Sequence, residues 1–167
     1  MLSIVPSCAI IGLDGAIVQE EVDVSAGSPG FIIVGLPDTA VQESRERVRS
    51  ALKNAGFHFP GGRITVNLAP ADLHKEGSAY DLPIALGILC ASGQVSADLS
   101  GMAFVGELSL EGAVRHVRGI LPMAGFLKEK GFRAFFVPAA DAPEAALVPG
   151  LSVIPVPDLV SLVRHLN

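Results

Sequence analysis

Two-residue alternation of apolar and polar positions recurs along this chain, separated by stretches with a helical period, so strands and helices interleave. Residues 3–11 and 15–24 read as two strands around a turn at Leu13-Asp14-Gly15, with Val18, Glu20, Val22 and Val24 alternating imperfectly against Gln19, Glu21 and Asp23. Phe31 to Val34 forms a third strand, closed by Gly35-Leu36-Pro37. Asp38 is then a natural N-cap for one long helix running to about Asn54 and stopped by Gly56. Val41, Val48, Leu52 and Ala55 share one side of it, and Glu43 stands four residues before Arg47. Arg63 to Leu68 alternates as a half-buried strand, whereas Ala69 to Tyr80 has no period and reads as a loop, the candidate functional surface.

Leu82 to Ala91 is apolar all round, which predicts a central helix packed on both sides, with Asp81 as its cap and Pro83 tolerated in its first turn. Met102 to Leu108 and a short run about Val114 flank a Glu111-Gly112 turn as a hairpin, and a helix follows from about Leu121 to Lys130, stopped by Gly131. Two short strands, at Phe135–Val137 and at Val153-Ile154, are separated by a helix begun at Asp141 and Pro143. The last helix starts at Pro157-Asp158 and puts Leu159, Leu162, Val163 and Leu166 on one face. The alternation implies an α/β (α+β) fold, and the opening hairpin makes its sheet mixed.

Half of the 167 residues are apolar, enough for a single domain, 1–167, with a substantial core. The net charge of −5, from 17 acids against 12 Lys and Arg, argues against a broad nucleic-acid-binding face but not against a local basic groove. Cys8 and Cys90 lie in apolar runs without metal spacing and read as buried thiols. No apolar run reaches the length of a membrane span and the N-terminus lacks a basic leader segment, so the chain reads as soluble and cytoplasmic.

No Gly-x-x-x-x-Gly-Lys-Ser/Thr loop occurs, so the chain does not cradle nucleotide phosphates in that manner, and Gly61-Gly62, which precedes a strand, reads as a turn. His58 and His116 have no Cys or His partner at metal-ligand spacing. Arg45, Arg47 and Arg49 share a helix with Glu43 and Glu46, which favours a salt-laced outer face. Arg115, His116 and Arg118 form the densest short positive cluster, and Arg63, Lys75 and Arg133 are candidates to join it in space.

The segments KEGSAYDLPIALGIL (75–89) and VGELSLEGAVRHVRGILPMAGFLKEKGFRAFFVP (105–138) resemble a Lon-protease-type domain. In that family the first carries a nucleophilic serine and the second a lysine base. Those positions fall here on Ala79 and Leu121, and the loss of both removes the chemistry, since a serine hydroxyl needs a positioned base. A relocated pair from Ser78 and Lys75 is the enzymatic alternative, opposed by the absence of a pocket that would depress the lysine pKa.

Residues 35–95, together with the opening 3–38 and the Gly-Glu-Leu-x-Leu-x-Gly segment, resemble the N-terminal domain of the ComM/YifB family of magnesium-chelatase-like AAA ATPases. The resemblance implies a non-catalytic Lon-like domain of a hexameric DNA branch-migration helicase that acts in natural transformation and recombination. ATP and Mg would belong to a motor domain outside these 167 residues, with no cofactor or metal in this chain. Its implied partners are copies of itself and single-stranded or branched DNA, with no membrane. Candidate DNA or partner contacts are Lys75, Arg115, His116, Arg118, Arg45 and Arg49. A free-standing protein-interaction domain is the remaining alternative.

Overall fold

The computed structural model describes all 167 residues. The opening hairpin pairs β1 (Leu2–Ile11) with β2 (Asp14–Ser25), and its two-residue turn is Gly12-Leu13, one step earlier than the sequence suggests. Gly12, at φ +64°, supplies the left-handed backbone that such a turn requires. β3 (Gly30–Val34) and β4 (Arg63–Ala69) complete a mixed sheet in the order β1-β2-β4-β3, with β3 parallel to β4 and the other pairs antiparallel.

The predicted long helix is two: α1 (Thr39–Gln42), capped by the Asp38 carboxylate on the Val41 amide at 2.8 Å, and α2 (Ser44–Asn54). The two meet at Glu43, whose backbone stays in the helical region, and Ser44, Val48, Ala51 and Leu52 of α2 are buried. Before α1 the chain makes a close approach at Gly35 (φ +103°), where a Cβ would lie 2.3 Å from the Leu68 carbonyl oxygen.

The central helix α3 (Asp81–Ala91) is buried along all but one of its positions, Cys90. It lies against β1 and β2, and Gly87 permits that approach because a Cβ there would fall 2.4 Å from Val22 Cγ2. The Ser3 hydroxyl donates to the Gly87 carbonyl at 2.7 Å across the same contact.

The run Met102 to Leu108 is divided between two sheets. β5 (Met102–Phe104) joins a parallel sheet β5-β8-β9 with β8 (Ala134–Pro138) and β9 (Ser152–Val156). β6 (Glu107–Leu108) pairs instead with β7 (Val114–Arg115). The strand β8 is buried on both sides: Ala134 and Phe136 face the core under α3, while Phe135 and Val137 face a second core under α4 (Ile120–Glu129). A 3-10 turn at Ala139–Asp141 leads into the single-turn α5 (Ala142–Ala145), and in α6 (Leu159–Leu166) the Asp158 carboxylate accepts from the Ser161 amide.

Asp81 does not cap α3. Its carboxylate is fully buried and accepts from Ser44 Oγ at 2.5 Å, Arg47 Nε at 2.6 Å, Arg47 Nη2 at 3.1 Å and the Leu108 amide at 3.0 Å. Four donors on two oxygens require the ionised, acceptor-only form. Arg47 therefore leaves the outer face predicted for it and ties α2 to α3 and β6. Arg47→Ala is expected to cost about 3 kcal/mol in denaturant unfolding, because it strands a buried charge, and Arg47→Lys recovers only part of it for lack of the two-pronged geometry. A loss within the range of ordinary surface substitutions would show that the network is not holding the helices together.

Candidate functional site

The loop before α3 and the hairpin end of β1 enclose a cleft of about 940 Å3. Cys8 to Gly12 form one wall, residues 73–80 the second, and Glu107 and residues 116–119 the third, with Met123 of α4 at the base. The floor is apolar, from Ile10, Leu73, Ala79 and Val117. Asp38, Glu76 and Glu107 bring carboxylates to it, and His74, His116 and Arg118 bring basic groups.

Local contacts hold these side chains. The main chain of residue 75 bridges to Leu36 and Asp38, with Lys75 N donating to Leu36 O and Asp38 N donating to Lys75 O, each at 2.9 Å. Asp38 also accepts from the Gly77 amide at 3.2 Å, so one carboxylate fixes both the start of α1 and the loop. The Ser78 hydroxyl donates to Glu107, and Arg115 stands 4.0 Å from the other oxygen of Glu107. Asp141 accepts from the Val117 amide at 3.0 Å and meets His116 Nδ1 at 2.5 Å, so His116 has a carboxylate partner that its isolation in sequence conceals.

Lys75 is not a surface cation. It is completely buried, and its ammonium donates to the carbonyls of Gly35, at 2.7 Å, and Pro70. Burial lowers its pKa, with Asp72 and Glu20 opposing the shift. It is thus removed from any groove made with Arg115, and it makes no bond to Ser78, whose hydroxyl is engaged by Glu107. The absence of a pocket that argued against this pair in sequence does not hold, since Lys75 is buried; what separates the two groups is the direction of their hydrogen bonds.

The remaining sequence candidates divide. Ala79 lies in the cleft, while Leu121 is two-fifths exposed and lies outside its lining. Arg118 lines the cleft and is exposed, with Arg115 and His116 beside it in the chain and also exposed. Arg45 is exposed on α2, bonded to the Gln42 carbonyl at 3.1 Å, and Arg49 lies 3.5 Å from Glu46 and over the Phe59 ring. Arg63 is at the far end of β4 opposite Ser25, and Arg133 packs beside Gly101. Neither is among the residues that line the cleft with Arg118.

Beneath the cleft lies the least expected group. Glu20 is fully buried on the α3 side of the sheet, opposite Val5 and Leu68, and neither of its carboxyl oxygens has a hydrogen-bond partner. The nearby Ser7 hydroxyl is likewise unpartnered. Burial pushes the Glu20 carboxyl well above its ordinary value, with the Lys75 charge pulling the other way. Burial and then Glu20 also push the Cys8 thiol up, so it is an inert thiol rather than a nucleophile. Tyr80 is raised in the same manner, by burial first and by Glu20 next.

Comparison of the sequence with known proteins shows its family. The family model described as "Subunit ChlI of Mg-chelatase" covers residues 20–141, from the buried Glu20 to the Asp141 that holds His116. The competence protein ComM of Haemophilus influenzae is 47% identical over 167 residues, 99% of this chain and 33% of that protein. The protein YifB of Escherichia coli K12 is 46% identical over 150 residues, 89% of this chain and 29% of its own length. A protein of Mycobacterium tuberculosis H37Rv is 48% identical over 148 residues, 88% of this chain and 29% of its own. The chain belongs to the magnesium-chelatase-like ComM/YifB family. It spans about a third of the length of these relatives and corresponds to their N-terminal portion.

In this ComM/YifB domain no three or more His, Cys, Asp or Glu side chains group so as to hold an ion. No helix is long and apolar enough to cross a membrane. The group with a measurable signature is Glu20. Unfolded, it ionises near its ordinary 4.5; folded, burial keeps the proton to higher pH. Its contribution to stability is therefore full below about 4.5 and drains away as pH rises toward the folded value. Glu20→Met should raise the thermal midpoint, with a gain smallest in acid and growing steadily above the ordinary Glu value. A gain independent of pH would show that Glu20 does not retain its proton in the fold.

Proposed function

We propose that this chain is the non-catalytic N-terminal domain of a ComM-type hexameric AAA ATPase, a DNA branch-migration helicase of natural transformation and recombination. ATP and Mg act in the motor part of that protein, and the assembly works in the cytoplasm. The observation that carries the reading is the likeness to ComM over 99% of the chain, with the Lon-type serine and lysine positions occupied by Ala79 and Leu121. Neither an alanine nor a leucine activates a nucleophile or stabilises an oxyanion through its side chain.

Within that role the domain serves subunit assembly first and DNA guidance second. Its acids outnumber its bases by five, and Glu43, Glu46 and Glu107 stand beside Arg47, Arg49 and Arg115. Such interspersed charge gives no continuous track for phosphates. The exposed pair Arg115 and Arg118, with His116 between them, is the one short basic ridge suited to a few phosphate contacts.

In the full-length protein, Arg115→Glu with Arg118→Glu should weaken binding to forked or Holliday-type DNA more than to duplex. It should also reduce the slope of log K against log salt by roughly two, one unit per lost phosphate contact. Unchanged branched-DNA affinity and salt slope would leave assembly as this domain's role. Hydrolysis of unfolded casein by this chain, lost on Ser78→Ala, would replace the whole reading with a peptidase.

A further inference from the structure

We propose that Glu20 and Lys75 form a proton-operated latch on one wall of the cleft. With Glu20 protonated, the Lys75 ammonium ties down residues 70–74; with Glu20 ionised, the ammonium moves to that carboxylate and releases them. The inference is independent of what the domain assembles with or guides, because it concerns the interior of this chain alone.

Backbone contacts bring the two side chains together. Glu20 on β2 stands directly opposite Leu68 on β4, and both are fully buried. Gly35 lies against the main chain of Leu68, where a Cβ would be 2.3 Å from the Leu68 carbonyl oxygen. The Lys75 ammonium donates to the carbonyl of Gly35, at 2.7 Å, and to that of Pro70, two residues beyond Leu68. It is therefore held beside the cross-strand partner of Glu20. Neighbouring strands are about 4.8 Å apart, a gap that a change of rotamer along the lysine stem spans.

The observed arrangement leaves hydrogen bonds unmade. Both carboxyl oxygens of Glu20 and the Ser7 hydroxyl have no partner, and Lys75 uses two of its three donors. Ser7 is the diagonal neighbour of Glu20 on the same face, since Ser7 pairs with Val18 and Val5 with Glu20. Moving the ammonium to an ionised Glu20 gives that carboxylate a charged donor, and the Ser7 hydroxyl supplies a second. The Pro70 carbonyl is not orphaned by the move, because it also accepts from the Leu73 amide at 3.3 Å. The same groups thus have two arrangements, and the proton on Glu20 selects between them.

The latch holds the tip of the loop. The main chain of Lys75 is tied to Leu36 and Asp38 in either arrangement, whereas the ammonium is what joins Lys75 to Pro70. Pro70, Ala71, Asp72 and His74 are exposed, and Leu73 and His74 line the cleft. Release of this segment therefore loosens the wall that Leu73 and His74 form.

Few other titratable groups surround Glu20. Cys8 on β1 and Tyr80 before α3 both stay uncharged, raised by burial first and by Glu20 next. Within α3, Asp81 is consumed by Ser44, Arg47 and the Leu108 amide, and Cys90 is raised by burial. Glu21 and Asp23 alternate to the other side of β2, and Arg63 is at the far end of β4. The loop carries Asp72, His74, Lys75 and Glu76, and of these it is the Lys75 charge that lowers Glu20 against its burial. Asp72 and Glu20 in turn favour the charged form of Lys75, against burial.

The test follows this 167-residue chain by NMR over the pH range in which it stays folded. The Glu20 carboxyl carbon reports its proton, and the methyl groups of Ala71 and Leu73, which do not exchange with water, report the segment. As pH rises, the Leu73 methyl order parameter should fall by about a third or more, the step from a rigid to a flexible segment. Its midpoint should coincide with the loss of the Glu20 proton, while methyl groups of Leu86 and Ile88 in α3 stay rigid. Glu20→Gln, which keeps the shape and cannot ionise, should hold the segment rigid at every pH.

Lys75→Met should leave the segment mobile at every pH and raise the Glu20 midpoint, since the charge that favours the ionised carboxyl is gone. If that variant fails to fold, Glu20→Gln decides alone. A Glu20 carboxyl that keeps its proton until the fold is lost, or a segment whose mobility does not follow the Glu20 midpoint, would overturn the proposal. Release that persists in Glu20→Gln would assign the titration to Lys75 itself and overturn it equally.

Discussion

The buried carboxylate of Asp81 is the constraint on which the rest of the arrangement depends. An ionised group with no access to water must be surrounded by donors, and three elements supply them: the Ser44 hydroxyl and Arg47 guanidinium from α2, and the Leu108 amide from β6. Burial raises the Asp81 carboxyl, and the bonds from Arg47, Ser44 and Leu108 pull it back. Because each donor is used, α2, α3 and β6 must approach one another at one geometry. That geometry places Tyr80 and Ala79, the residues immediately before Asp81, at the cleft, and brings Glu107, next to Leu108, within reach of Ser78.

A second polar cluster works differently. Lys75 is satisfied by two carbonyls, but Glu20 and Ser7 are not satisfied within the chain. Unpaired buried groups cost stability and do not specify geometry as Asp81 does. Burial first, with Glu20 second, raises Cys8 and Tyr80, so both of these cleft residues stay uncharged. The charged side chains that line the cleft are Asp38, Glu76, Glu107 and Arg118.

Elements whose pattern is local were legible. Alternation marks β2 and β4, apolar runs mark β3 and α3, and the caps at Asp38 and Asp158 mark helix starts within a residue of their positions. The division at Glu43 was not legible, because neither glycine nor proline marks it and Glu43 itself keeps helical backbone angles. The partners of Asp81 and His116 were hidden for a related reason: they lie 34 and 25 residues away, and nothing in spacing links them. The division of Met102 to Leu108 between two sheets depends likewise on which distant strand, β8 or β7, each half meets.

The loop that the sequence marks as aperiodic, Ala69 to Tyr80, supplies one side of the cleft. Its chemistry could not be read because that chemistry depends on direction. Lys75 is in the loop but its ammonium bonds carbonyls; Arg118 is in the chain's basic cluster but shares the lining of the cleft with Asp38, Glu76 and Glu107. Ala79, where the Lon resemblance would put a serine, lies in the cleft and leaves its space open, while Leu121, where it would put a lysine, lies outside the lining. The space persists because Asp81 below it and Asp38 beside it hold its walls for reasons of folding.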